Sequence, residues 1–255
     1  MGLRRSLAHL KRVHVEGLLP VAQVLLKTVL FLSGGLVTLE GGERLKGLAY
    51  PVIFAFNHNI YAETIIVPCQ LMSLTGRKIS FLIHWMFREF PFVGWLMRFI
   101  DPIWVYSKPR GLFGVRRPRG RAGTSAIEEA VRRYRRGASL GIFPEGTRNN
   151  NPHRLLKGRH GLGEIALRTG AAVVPVGIEF PVAAGRRRIP WLGKMILRVG
   201  ETVDITGERA RVTPAMHSGA GMTHEERGLL FALGKTVTER VMRALAALSG
   251  KAFAG

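Results

Sequence analysis

Cysteine and acidic residues are both scarce in this sequence of 255 residues. The single cysteine, Cys69, excludes an intramolecular disulfide and a cluster of thiolate ligands around zinc, and it is compatible with a reducing compartment. Only 17 Asp and Glu stand against 38 Lys and Arg, and the net charge of +21 excludes a disordered acidic chain. This charge predicts an anionic partner: nucleic acid, an acidic lipid surface, phosphorylated metabolites or an acidic carrier protein.

An apolar run long enough to cross a bilayer is also lacking near the N-terminus. Residues 18–32, LLPVAQVLLKTVLFL, contain one charge, Lys27, and would form a helix about 22 Å long. The hydrocarbon core of a bilayer is about 30 Å thick. Together with Pro20 and the glycines that follow the run, this length favours a helix lying in the bilayer surface rather than across it.

The segment before that run has the pattern of a basic amphipathic helix. The leucines of one helical stripe are Leu3, Leu7 and Leu10, and the basic residues off it are Arg4, Arg5, Lys11 and Arg12. We therefore predict a membrane anchor over residues 1–35, with buried core helices or a cleaved signal peptide as alternatives. Much later in the chain, the basic residues 186–188 beside Trp191 are candidates for contact with lipid head groups.

After residue 35, short apolar runs alternate with helical patterns, which is typical of an α/β fold. Several runs, such as VIFAF, are apolar at consecutive positions, as expected of strands covered on both faces of a central sheet. The predicted strands are residues 52–56, 79–83, 103–106, 139–143, 173–180 and 195–199. The predicted helices are residues 62–74, 124–136, 162–169 and 222–248. We expect a single domain over residues 36–255.

The string FPEGTR, residues 143–148, is the most specific pattern in the sequence. It comes at the end of a predicted buried strand, where α/β proteins place their ligand crevice. Gly146 allows the backbone to approach a ligand closely, and Arg148 offers a planar fork for a phosphate. The alternative interpretation is a surface turn made of common turn residues.

A second pattern, NHNIYAE, places His58 five residues before Glu63. A carboxylate that fixes the tautomer of a histidine and stabilises the imidazolium makes that histidine a general base. Five residues do not fit one face of a helix, so we expect His58 in a loop and Glu63 in the first turn of the next helix. His84 and Glu89 have the same spacing, so spacing alone does not choose between the two histidines. Cys69 is an alternative nucleophile, although an isolated cysteine with apolar neighbours is typically a core residue.

NHNIYAE and FPEGTR resemble the first and third blocks of the 1-acylglycerol-3-phosphate acyltransferase (lysophosphatidic acid acyltransferase) family, and they occur in the same order along the chain. PFVGWLMR at residues 91–98 looks like the second block, and GLGEIALRTGAAVVPVGI at residues 161–178 looks like the fourth. The resemblance selects His58 rather than His84 as the catalytic candidate. It implies an α/β fold with a mixed central sheet flanked by helices, and an N-terminal helical anchor.

The resemblance also implies a reaction, in which an acyl chain moves from coenzyme A or acyl carrier protein to a lysophospholipid hydroxyl. Lysophosphatidic acid would become phosphatidic acid at the cytoplasmic face of the cell membrane, on an anionic lipid surface, without nucleic acid and without a metal or redox cofactor. His58 would remove the hydroxyl proton and Glu63 would support the imidazole, with no acyl-enzyme. The residues implied to bind the glycerol phosphate are Glu145, Gly146, Thr147 and Arg148.

Three positions depart from the family's pattern. Glu63 stands where the family has Asp, which lengthens the carboxylate arm by about 1.5 Å, and lipid A acyltransferases are similar in having Glu there. Ser107 stands where an arginine is expected, so the adjacent Lys108 is a candidate substrate contact or else a solvated lysine. Arg159 replaces a lysine and keeps its charge. The alternatives are an acyltransferase for another lysolipid, an inactive lipid-binding relative and, from charge alone, a nucleic-acid-binding protein.

Overall fold

A mixed β-sheet of seven strands lies at the centre of the computed structural model, which describes residues 10, 12–85, 102–106, 125–183 and 185–254. The strands are β1 (Val37–Glu40), β2 (Ile53–Phe56), β3 (Ile79–His84), β4 (Ile103–Val105), β5 (Ser139–Ile142), β6 (Val173–Glu179) and β7 (Met195–Val199). Their order across the sheet is β1-β7-β6-β2-β5-β3-β4. Neighbouring strands are parallel except β6 and β7, which are antiparallel. The predicted mixed sheet is therefore confirmed.

Helices cover this sheet on both sides. They are α1 (Pro20–Ser33), α2 (Glu63–Thr75), α3 (Ala126–Arg135), α4 (Gly161–Thr169), α5 (Thr206–Arg209), α6 (Pro214–Ser218) and α7 (His224–Ser249), with a 3₁₀ helix at Gly42–Leu45. Local sequence fixes several ends: α7 begins at a capping box formed by Thr223 and Glu226. Helices α2 and α4 end at Gly76 and Gly170, which adopt the left-handed conformation that terminates a helix.

Strand β2 shows how the core is divided between the two faces. Phe54 and Phe56 enter the cluster formed with α1 and α2, whereas Ile53 and Ala55 enter the cluster formed with α3, α4 and α7. All four side chains are completely buried. The run of consecutive apolar residues is thus explained by helices packed against both faces of a central strand.

Helix α1 lies against the domain with only one of its faces. Leu26 and Leu30 are buried in the core, whereas Val24 is 64% exposed and Leu32 is 72% exposed. No helix within the described part of the chain has both the length and the apolar character needed to cross a bilayer. The result is a partly docked helix with an apolar outer face.

The structure adds an edge strand, β1, that the sequence patterns do not predict. It pairs with β7, and its side chains alternate between partly buried and exposed. Several sequence expectations fall outside the described residues: the leucine stripe at residues 3 and 7, the second family block at residues 91–98, and Lys108.

Candidate active site

The two sequence motifs meet because they follow neighbouring parallel strands. Strand β2 leads into His58 and β5 leads into Glu145, and Ala55 lies opposite Ile142 in the ladder that joins these strands. The His58 backbone N–H donates to Glu145 Oε1 at 2.9 Å, and the Asn149 N–H donates to the His58 carbonyl at 2.8 Å. The loops that carry the motifs are therefore bonded directly to each other at the carboxyl edge of the sheet.

His58 and Glu63 form a close pair. Glu63 is the first residue of α2, its side chain is completely buried, and its Oε1 lies 2.7 Å from His58 Nδ1. The Asn59 backbone N–H also donates to Oε1, and Asn59 Nδ2 donates to Oε2 at 3.0 Å. Because an ionised carboxylate only accepts hydrogen bonds, we assign the ring proton to Nδ1, which leaves Nε2 as the basic nitrogen.

The His58 ring is held in place but remains accessible. Its side chain is 14% exposed, and its ring centroid lies 4.5 Å from that of Phe143. The preceding residue, Asn57, is buried and exchanges two side-chain hydrogen bonds with the Ile178 backbone of β6, at 2.8 and 2.7 Å. The loop is thus tied to β6 as well as to the loop after β5, and the basic nitrogen has a fixed position from which it can act.

Glu145 occupies a supporting position. It is 3% exposed, and its Oε2 accepts from the Leu156 N–H at 2.9 Å and from Asn149 Nδ2 at 3.3 Å, while Oε1 accepts from His58. Burial raises the pKa of the Glu145 carboxyl, and these hydrogen bonds together with the charge of Lys251 oppose that rise. Both oxygens bind the protein itself, and the contact of Glu145 with the glycerol phosphate that the resemblance implies stays a prediction.

The next three residues, Gly146, Thr147 and Arg148, form an exposed turn. Gly146 has φ of +64°, a conformation that favours glycine, and a Cβ placed there would lie 2.5 Å from Arg159 Nε. The Arg159 N–H donates to the Pro144 carbonyl at 2.8 Å. The Arg159 side chain therefore lies directly on the FPEGTR turn.

Arg148 stacks on an aromatic ring at the rim of the same loop. Its guanidinium carbon lies 3.3 Å from the centroid of Tyr61, whose side chain is half-exposed and belongs to the loop between His58 and Glu63. This cation–π contact orients the guanidinium while leaving its N–H edges available to an anion. Besides the backbone hydrogen bonds described above, this is a second contact between the NHNIYAE and FPEGTR motifs.

Sequence reasoning missed a buried lysine in this network. Lys251 follows α7 and is 5% exposed, and its Nζ donates to Asn59 Oδ1 and to the Asn151 carbonyl, the latter at 2.7 Å. Burial lowers the pKa of Lys251, and the negative charges of Glu145 and Glu63 oppose that effect. No sequence signal identifies it, because its partner Asn59 lies 192 positions earlier in the chain.

The sequence offered two other reactive candidates, and the structure bears on one of them, Cys69. Cys69 is a buried residue of α2, and burial raises the pKa of its thiol to about 12, so it carries no thiolate at neutral pH. His84 is the last residue of β3, and its partner in sequence spacing, Glu89, lies outside the described residues.

Comparison with known proteins assigns the chain to a family. A family model described as Acyltransferase matches residues 36–179, more than half of the chain, so the protein belongs to the acyltransferase family. Among curated proteins, the 1-acyl-sn-glycerol-3-phosphate acyltransferase LPAT1 of Arabidopsis thaliana chloroplasts is 27% identical over 140 residues, which are 55% of this chain and 35% of the relative. The human lysophospholipid acyltransferase LPCAT4 is 28% identical over 206 residues, 78% of this chain and 32% of the relative.

The chain spans about a third of the length of these curated relatives. A solved structure, that of the 1-acyl-sn-glycerophosphate acyltransferase PlsC from Thermotoga maritima, superposes with a TM-score of 0.54. The match covers 96% of this chain and 87% of PlsC at 21% identity. At that identity the comparison shows a shared fold.

Proposed function

We propose that this protein is a membrane-associated acyltransferase that moves a fatty acyl chain from an acyl thioester to the hydroxyl of a lysophospholipid. Lysophosphatidic acid is the proposed acceptor and phosphatidic acid the product. The observation that carries the proposal is the His58–Glu63 pair, with 2.7 Å between Nδ1 and a fully buried carboxylate. Membership of the acyltransferase family supports the reaction class.

In the proposed mechanism, Nε2 of His58 takes the proton of the acceptor hydroxyl as its oxygen approaches the thioester carbonyl. Glu63 balances the positive charge that develops on the imidazole. The new C–O bond forms, the C–S bond breaks, and the departing thiolate takes the proton back from the imidazolium. The acyl chain passes directly from coenzyme A or acyl carrier protein to the lipid, so the mechanism has no acyl-enzyme and uses no metal or redox cofactor.

Arg148 and Arg159 are the proposed contacts for the phosphate of the acceptor. Both are exposed cations on or against the FPEGTR turn, which is bonded to the His58 loop. A guanidinium presents paired N–H donors that match the oxygens of a phosphate, and a dianionic phosphomonoester gains most from two such groups. Thr147 supplies a hydroxyl on the same turn, and Lys108 stays a proposed further contact.

We propose that the protein acts at the surface of a bilayer, with residues 1–35 as the membrane anchor and residues 36–255 as the acyltransferase domain. The exposed apolar face of α1 is one contact. Trp191, 83% exposed beside the basic residues 186–188, is a second. The Ile189 N–H donates to the Asn150 carbonyl at 3.0 Å, which ties that basic loop to the loop following FPEGTR. The site would then face the lipid.

The sign of the charge supports an anionic leaflet, such as the cytoplasmic face of a cell membrane. Net charge is +21, and each basic residue near such a surface contributes about 1 kcal/mol of attraction. We expect the protein to sediment with vesicles containing phosphatidylglycerol and to bind neutral phosphatidylcholine vesicles less. Binding to DNA without preference for anionic vesicles would instead support a nucleic-acid-binding protein.

The reaction is tested by incubating purified protein with acyl coenzyme A or acyl carrier protein and a panel of lysolipids. Mass spectrometry of the lipid products and release of the free thiol measure transfer. We expect phosphatidic acid to form fastest. Faster transfer to another lysolipid would contradict the proposed acceptor and leave the chemistry intact. Transfer to none of them, with lipid binding retained, would identify a non-catalytic lipid-binding protein.

A further inference from the structure

We propose that Lys251 is a positioning residue of the acyl-transfer site, acting through Asn59 on Glu63. The inference rests on the proposed function and extends it to a side chain from the segment after α7. The Lys251 ammonium donates to Asn59 Oδ1, and Asn59 in turn donates to both oxygens of the Glu63 carboxylate. Glu63 contacts His58, so three hydrogen-bonded steps connect the lysine to the imidazole.

The Lys251 ammonium sets the direction of the Asn59 amide. A lysine ammonium can only donate hydrogen bonds, so the atom of Asn59 that faces it is the carbonyl oxygen. The NH₂ group must then face Glu63, where Nδ2 lies 3.0 Å from Oε2. The side-chain Nδ2 of Asn57, 3.4 Å from Asn59 Oδ1, favours the same direction. Without the ammonium, a flipped amide would place its oxygen against the Glu63 carboxylate and repel it.

Lys251 also places a buried positive charge beside the site. An ammonium buried to 5% exposure loses most of its hydration, which is costly unless nearby negative groups compensate. The compensating charges come from two elements: Glu63 at the start of α2 and Glu145 in the loop after β5. The titratable ring of His58 is hydrogen-bonded to Glu63, and the His58 backbone N–H is hydrogen-bonded to Glu145. A fixed positive charge here disfavours uptake of a further proton by this cluster.

The segment that carries Lys251 is bonded to the loop after FPEGTR. Helix α7 ends at Gly250, and the next residues pair with the loop that follows FPEGTR. The Ala252 N–H donates to the His153 carbonyl at 2.8 Å, and the Leu155 N–H donates to the Ala252 carbonyl at 2.9 Å. Phe253 packs against the core cluster beneath α4 and α7. The backbone on the C-terminal side of Lys251 is therefore fixed to the site, which limits the reach of the ammonium to Asn59 and its neighbours.

Four variants separate these contributions. Lys251→Gln keeps a donor for Asn59 and removes the charge, Lys251→Met removes both, and Lys251→Arg keeps both. Lys235→Met is the matched control, because that lysine lies on the exposed side of α7 with 66% of its side chain accessible. The measurements are kcat, KM for lysophosphatidic acid, the pH profile of kcat/KM, and the melting temperature of each variant.

We expect Lys251→Gln to lower kcat about tenfold with little change in KM, because the lysine does not contact the acceptor. We expect the acid limb of its pH profile to move up by about one pH unit, because the site takes up a proton more easily once the ammonium is gone. Lys251→Met should lose more activity than Gln, Lys251→Arg should restore the position of the acid limb, and Lys235→Met should match the unaltered protein.

A lower kcat in Lys251→Gln with an unmoved acid limb would overturn the proposal and leave Lys251 a purely structural residue. The same conclusion would follow if Gln and Met both failed to fold while Arg folded. If Gln behaved as the unaltered protein, the proposal would also be overturned, because the charge of Lys251 would then have no role in the reaction. Absence of acyl transfer in the unaltered protein is a different outcome, because it would contradict the proposed function itself.

Discussion

Replacing Glu63 by Gln removes the negative charge next to the imidazole and nearly preserves its shape. At a charge separation of about 4 Å and an effective dielectric constant of about 20, that charge stabilises the imidazolium by about 4 kcal/mol. The Glu63 side chain is completely buried, so bulk solvent does not reach it to screen this interaction. A loss of about 4 kcal/mol in the transition state corresponds to roughly a thousandfold lower kcat.

Glu63→Asp is the matched comparison, because it keeps the charge and withdraws it by about 1.5 Å. The same Coulomb estimate falls to about 3 kcal/mol at 5.5 Å, so the predicted loss is about 1 kcal/mol, or roughly fivefold to tenfold in kcat. The assay is the initial rate of phosphatidic acid formation at saturating donor and acceptor, with melting temperatures to confirm that both variants fold. Equal losses of kcat in the two variants, or a loss below tenfold in Glu63→Gln, would refute the claim that the charge of Glu63 supports His58 as the general base.

Three further predictions concern the phosphate, the bilayer and pH. Arg148→Ala should raise KM for lysophosphatidic acid about tenfold and leave KM for monoacylglycerol, which lacks a phosphate, unchanged in steady-state assays. Trp191→Ala should weaken binding to anionic vesicles about tenfold in sedimentation, whereas Phe231→Ala, another exposed aromatic, should not. Burial raises the pKa of Glu145, so its stabilising contribution is present at low pH and is lost as pH rises through that raised value. The unfolding free energy of the unaltered protein, measured with urea, should therefore fall as the pH rises above 4.5. The fall should be smaller in Glu145→Gln, which has no carboxyl to ionise.

Much of the fold follows from local sequence because the elements carry clear boundaries. The helices now numbered α2, α3, α4 and α7 lie within two residues of their predicted ends, and the six predicted strands lie within one. Capping residues and glycines set these ends, and the consecutive apolar runs require a sheet covered on both faces. Strand β1 escaped prediction because it is short, lies at the sheet edge and carries polar residues at alternate positions.

Part of the candidate site follows from the sequence, because the motifs come at the ends of strands that can be predicted. Two motifs that follow parallel strands are brought together once those strands are neighbours, so the approach of His58 and Glu145 depends only on sheet order. The inward position of the Glu145 carboxylate and the burial of Lys251 depend on hydrogen bonds between distant segments. Lysine and glutamate are rarely buried, so a single sequence gives no reason to expect either there.

The proposed reaction requires His58 to take the proton from the acceptor hydroxyl. Its most direct test compares the rate of phosphatidic acid formation in the unaltered protein, in His58→Ala, and in His224→Ala, a histidine exposed at the start of α7. We expect His58→Ala to lose at least about a thousandfold in kcat, with folding and vesicle binding unchanged and His224→Ala fully active. Comparable turnover in His58→Ala would contradict that requirement.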